Sequence, residues 1–131
     1  MTMKKYFFML LLGLGLASCQ ESLEERCARE AETFTRKNCP AKLSDIVTID
    51  SMTFDRNTHT LGYYYTVTAD GLDATSLATG GWRETLLREL KNTPTMKPYL
   101  EAGYGVDYVY YQDGDATKRV FEAHFTEKDY K

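Results

Sequence analysis

The apolar positions of this chain change period along its length, and each change marks an element. From Tyr6 to Leu16 the run is almost continuously apolar, too short to cross a bilayer as a stable anchor. From Leu23 the pattern turns helical. Leu23, Cys27, Ala31 and Phe34 recur at spacings of four, four and three, which lays them on one stripe and leaves Glu24, Glu25, Arg29, Glu32 and Arg36 largely outside it. Cys39-Pro40 should end that helix, because the residue before a proline is pushed out of helical geometry.

The period then shortens to two. Asp45 to Phe54 and Leu61 to Thr68 are rich in β-branched and aromatic residues, with Asp55, Arg56, Asn57 and Thr58 as turn formers between them, which predicts a hairpin. Its second arm alternates Leu61, Tyr63, Tyr65 and Val67 against Gly62, Tyr64, Thr66 and Thr68, and the first set should face the core. The first arm alternates poorly, as a bulged strand or one buried on both faces would. Asp70 to Gly80 reads as a loop. A second helix follows with Trp82, Leu86, Leu87 and Leu90 as its stripe and Thr93-Pro94 as its stop, then a short helical turn from Thr95 to Ala102 capped by Gly103. Gly105 to Tyr111 and Lys118 to Thr126 around Asp113-Gly114 predict a second hairpin. The expected fold class is α+β, in the order αββαββ: a four-stranded antiparallel sheet with two helices packed on one face.

The start of the chain adds an address. Lys4 and Lys5 precede the apolar run, and Leu16-Ala17-Ser18-Cys19 closes it. Small residues before a cleavage point followed by a thiol resemble the lipobox of bacterial lipoproteins. This predicts a signal peptide over 1-18, a lipidated tether over 19-25 beginning at Cys19, and a single domain over 26-131, held to the membrane through its lipid. Removing 18 of 131 residues leaves 113, one domain's worth of chain. Gln20 after the cysteine, in place of an aspartate, favours the outer membrane of the cell envelope, with the periplasmic or surface orientation open. The chain carries 16 Lys and Arg against 19 Asp and Glu, and a charge of -3 without a basic cluster argues against nucleic acid as a partner.

With Cys19 assigned to lipid, Cys27 and Cys39 remain as an even pair. An oxidising compartment favours a disulfide between them, against the alternative of two buried thiols. Twelve residues of unbroken helix would hold the pair about 18 Å apart, so the bridge requires the helix to end early.

Chemistry is sparse. His59 and His124 are the only histidines, too few for a three-histidine zinc site, and neither a serine-nucleophile elbow nor a phosphate-binding glycine loop occurs. Asp113-Gly114-Asp115 offers too few oxygens for calcium. No catalytic residue, metal or cofactor is assigned. Tyrosine is the feature in excess, at ten residues, and alternation keeps Tyr64 and one of Tyr110 and Tyr111 on whichever sheet face is exposed. A phenol presents apolar area and a hydroxyl at small entropic cost, so Tyr64, Tyr110 and Tyr111 are the candidate binding residues for an envelope protein or small ligand. The alternative is a small hydrolase-like envelope enzyme using dispersed carboxylates and a histidine.

Asn38-Cys39-Pro40, Asp45, Thr48 through Ser51, Leu61 through Val67, and Ala102-Gly103 followed by Tyr108 through Tyr110 together resemble a family of small bacterial envelope proteins and lipoproteins of uncharacterised function. The resemblance covers most of the chain after the signal and implies a structural likeness with no catalytic residues to transfer. The cysteine that members often carry near the end of the second helix is replaced here by Asn92-Thr93-Pro94, so Cys27 is the partner the chain offers Cys39.

Overall fold

The computed structural model describes residues 21–68, 81–113, 115 and 117–131. The order is α1 (Leu23–Asn38), β1 (Ala41–Lys42), β2 (Val47–Asp55), β3 (Thr60–Val67), α2 (Trp82–Asn92), a 3-10 turn (Pro94–Met96), α3 (Lys97–Glu101), β4 (Gly105–Gln112), β5 (Arg119–Phe125) and α4 (Glu127–Tyr130).

Helix α1 forms where its stripe predicts. Ser22 caps it by accepting from the Glu25 amide at 3.1 Å, and acids in the first turn with bases in the last complement the helix dipole. Cys27 and Ala31 are buried. Helix α2 buries Leu86 and Leu90 as expected, but Trp82 is 40 % exposed and stands outside the core.

The sheet differs from the expected one. Among the described residues it has five strands in the order β1-β2-β3-β4-β5, and β3 pairs with β4 in parallel, with Thr60 beside Gly105 and Val67 beside Gln112. The expected αββαββ order, with a four-stranded antiparallel sheet and two helices, is therefore overturned in favour of a five-stranded mixed sheet with four α-helices among the described residues. The cause lies in the connection. Helices α2 and α3 carry the chain back to the end where β3 began, and the Gly105 amide donates to the His59 carbonyl at 2.9 Å. A strand entered from that end must run alongside β3 in the same direction. The added strand, β1, pairs Ala41 with Ile49 and Lys42 with Thr48 after a tight return in which the Leu43 amide donates to the Val47 carbonyl at 2.9 Å. The irregular first arm is explained by a bulge at Asp50, between Ile49 and Ser51.

Core residues of the described helices pack against one sheet face. Leu61, Tyr65 and Val67 of β3, Val106, Tyr108 and Tyr110 of β4, and Ala123 and Phe125 of β5 meet Cys27, Leu86, Leu90, Met96 and Tyr99 there. The tyrosines form a layer of near-parallel rings, Tyr65 on Tyr110 at 4.4 Å and Tyr63 on Tyr108 at 5.3 Å between centroids. Tyr99, 2 % exposed, donates its hydroxyl to Glu30 at 2.5 Å, tying α3 to α1 across 69 residues of chain. Burial pushes the phenols of Tyr63 and Tyr110 up to about 12.

The expected disulfide is absent: Cys27 and Cys39 are free thiols. The helix between them runs unbroken to Asn38, the geometry that keeps the two sulfurs out of bonding reach. Burial raises the Cys27 thiol to about 12, and burial beside Asp50 raises that of Cys39.

Candidate functional site

The face of the sheet turned away from the helices carries the exposed tyrosines. Strand alternation sends Gly62, Tyr64 and Thr66 of β3 and Asp107, Val109 and Tyr111 of β4 outward. Thr53 and Asp55 come from β2, and Glu122 and His124 from β5. Tyr64 and Tyr111 are half-buried, and their rings lie diagonally across the strand pair, parallel within 5° and 6.3 Å apart. Val109, opposite Tyr64, is 3 % exposed although it points away from the helices. Arg119 stands 5.8 Å over the Tyr111 ring and bonds Glu122 at 2.7 Å. Tyr110, 8 % exposed, points into the core, so the outward pair is Tyr64 with Tyr111.

Beside Tyr64 lies a groove of about 380 Å³ lined by Thr53, Asp55, Thr58, Thr60, Gly62, Tyr64 and Asp107. Glycine at 62 permits it. A Cβ there would sit 2.7 Å from Thr53 Oγ1 and 3.0 Å from the Tyr64 ring, so the ring leans over position 62 because nothing projects from it. Gly62, Thr53, Asp55 and Asp107 were not singled out by sequence reasoning. The signal was present in a glycine interrupting an aromatic strand, which marks close approach.

His124 and Asp107 meet on this face, Nδ1 to Oδ1 at 2.8 Å, and Nε2 lies 3.6 Å from Glu122 Oε1. The hydrogen bond with Asp107, helped by Glu122, holds the imidazole protonated above its ordinary range. Arg119 holds Glu122 below the usual carboxylate range. Asp107 holds the ring at Nδ1 while Glu122 faces Nε2, and among the described residues no hydrogen bond joins the ring to a serine, threonine or cysteine that it could activate. His59, in the β2–β3 turn, stacks on Tyr104 with centroids 4.9 Å apart and contacts Glu24 at 3.4 Å.

A second concavity, about 460 Å³, lies between the end of α2, α3 and α4, with Pro94, Leu100 and Tyr130 as its apolar lining and Lys91, Lys97 and Lys131 among its polar residues. Sequence reasoning gave no hint of it.

Among the described residues no group of three or more His, Cys, Asp or Glu side chains could hold a metal ion. Asp115, half of the weighed calcium pair, is engaged by the Thr117 amide and hydroxyl at 2.9 and 2.6 Å. No helix among the described residues is long and apolar enough to cross a membrane. The Tyr6 to Leu16 run and Cys19 lie outside the described residues, as does the whole of the loop from Asp70 to Gly80.

The fold is shared with two solved structures. One is a Pseudomonas aeruginosa protein described as secreted, with a TM-score of 0.64 and 14% identity over 86% of this chain and 100% of that one. The other is a pilotin from the Vibrio vulnificus type 2 secretion system, with a TM-score of 0.60 and 11% identity over 83% and 92% of the two chains. Among curated proteins no sequence matches. The match that carries identity covers residues 22–121, from the cap of α1 into β5, and by it the chain belongs to the family described as Domain of unknown function (DUF8479).

Proposed function

We propose that this protein is a lipid-anchored, non-catalytic binding module of the bacterial envelope, tethered at Cys19 and engaging a protein partner through its open sheet face. The observation that carries the reading is the outward face itself. Tyr64 and Tyr111 offer aromatic area beside a polar groove, while the histidine there is held by Asp107 with Glu122 nearby. A fold shared with a secreted protein and with a secretion-system pilotin supports an envelope location. The Leu16-Ala-Ser-Cys19 sequence supports lipidation, and Gln20 after it supports delivery to the outer membrane.

The test is cross-linking in intact host cells followed by affinity purification and mass spectrometry, with Cys19→Ala as the unanchored control. The reading predicts an enriched envelope protein that is lost in the Tyr64→Ala/Tyr111→Ala double variant and depleted when the anchor is removed. Enrichment that survives the loss of both tyrosines would move the interaction to another surface, and a folded, abundant protein that captures nothing would refute the reading.

A further inference from the structure

We infer that β5 is a self-pairing edge, through which two copies of this chain join antiparallel into one continuous ten-stranded sheet. The inference starts from which backbone groups β5 leaves free. The Gly105 amide donates to His59 O and the Asp113 amide to Val67 O, both at 2.9 Å, so the odd-numbered amides of β4 face β3. The even-numbered ones face β5, as the Gln112 amide does toward Lys118 O at 2.9 Å. The hydrogen-bonded pairs across β4 and β5 are then Val106 with Phe125, Tyr108 with Ala123 and Tyr110 with Phe121. Between them, Glu122 and His124 direct both N–H and C=O away from the sheet. Among the described residues β5 is the terminal strand. Among the described residues the side chain that reaches this edge is Arg83, whose Nη2 stands 3.5 Å from the His124 carbonyl and 3.3 Å from Asp129.

The sequence of that edge specifies its occupant. Phe121-Glu122-Ala123-His124-Phe125 is a palindrome in side-chain size with its charges exchanged about the centre. Placed antiparallel against itself with Ala123 at the dyad, it sets Phe121 opposite Phe125, and Glu122 opposite His124. The pair Glu122 and His124 is also the one whose outward N–H and C=O groups would close the hydrogen bonds between the copies, with the Arg83 guanidinium, 3.5 Å away, giving up the His124 carbonyl to the facing amide. Charge and backbone thus select one register. A shift by one residue would place the free groups of one strand against the occupied groups of the other. At Nε2 each imidazolium would exchange the 3.6 Å contact with its own Glu122 for the Glu122 of the facing copy, while keeping Asp107 of its own at Nδ1. Half-buried Phe121 would lie beside Phe125 of the facing strand. The two-fold makes the contact isologous and closed. The inference rests on the edge alone and stands whether or not the open sheet face has a partner.

Register-specific cross-linking of the full-length protein in membranes tests it. Two differently tagged copies, one Glu122→Cys and one His124→Cys, are expressed together and mildly oxidised. Both positions are exposed and neither belongs to the core, so folding should survive, which circular dichroism checks. The expected result is a disulfide between the two tags at least about tenfold more abundant than in cells carrying Glu122→Cys on both copies, because only facing residues come within bonding distance. On the cysteine-exchanged background's parent chain, association measured by sedimentation in detergent should weaken about tenfold in Glu122→Lys and recover in Glu122→Lys/His124→Glu. Equal cross-linking in both pairings, cross-links to some other protein in place of a second copy, or an association indifferent to the charge swap would each overturn the inference.

Discussion

Gly62→Ala tests whether the outward site has the shape described, because it changes the site while sparing the core. The added methyl would lie 2.7 Å from Thr53 Oγ1 and 3.0 Å from Tyr64 Cε2, both too close for ordinary contact. Each clashing atom ends a side chain that can rotate on the solvent side, so the backbone need not move. Turning two side chains away from their preferred positions costs about 1 to 3 kcal/mol. Alanine returns about 0.4 to 1 kcal/mol by restricting the unfolded chain. The net expectation is a loss between about 0 and 2.6 kcal/mol, centred on about 1.3 kcal/mol, and at that centre Tm falls by roughly 5 to 10 °C. Thermal unfolding followed by circular dichroism measures that loss. Nuclear Overhauser contacts between the Tyr64 ring and position 62 should weaken as the ring leaves. A collapse beyond about 4 kcal/mol, or a ring that stays in place, would refute the description of the groove as built on glycine.

Further expectations follow from the same geometry. The His124 imidazole should titrate above the ordinary value of 6.5, read from ring-proton shifts, and Asp107→Asn should bring it down, since the Asp107 hydrogen bond is the largest cause of the rise. Because the folded-state value is raised, the contact's stabilisation is present in full below pH 6.5 and is lost as pH climbs through the folded value, so Asp107→Asn should flatten that limb of the stability profile. Cys27 should resist alkylation until the protein unfolds, with Cys39 labelled sooner, and intact mass should show both as thiols; a bridged pair after oxidative purification would contradict the continuous helix. Tyr99→Phe should cost about 1 to 2 kcal/mol in denaturant unfolding, below the full value of a bond to a charged acceptor, because Glu30 keeps Arg26 at 3.0 Å.

Much of this architecture could be read from local pattern. The α1 stripe, the stop at Cys39-Pro40, the turn at Asp113 and the irregular β2 are all short-range features, and periodicity reports them. The direction of β4 relative to β3 is long-range. It depends on where α2 and α3 deliver the chain, and nothing in the alternation of either strand records it. β1 escaped because two residues are too few to show a period. α4 carried a readable sign, since Thr126 and Asp129 form a capping box. For the site, alternation allowed Tyr64 plus one of Tyr110 and Tyr111, and the choice needed the register. Asp107 met His124 for the same reason, through a pairing that the bulge between Tyr110 and Tyr111 offsets from simple counting. The disulfide rested on compartment and on an even count, and the continuous helix outweighed both.

The most direct test of the central claim is site-resolved photo-cross-linking in the native host, with a photoreactive phenylalanine derivative placed at Tyr64, at Tyr111 and, as a control on the opposite side, at exposed Glu32 of α1. The account predicts one shared envelope protein captured from Tyr64 and Tyr111 and absent from position 32. Capture of that protein from position 32 alone, or of nothing from either tyrosine position in folded, membrane-bound protein, would contradict it.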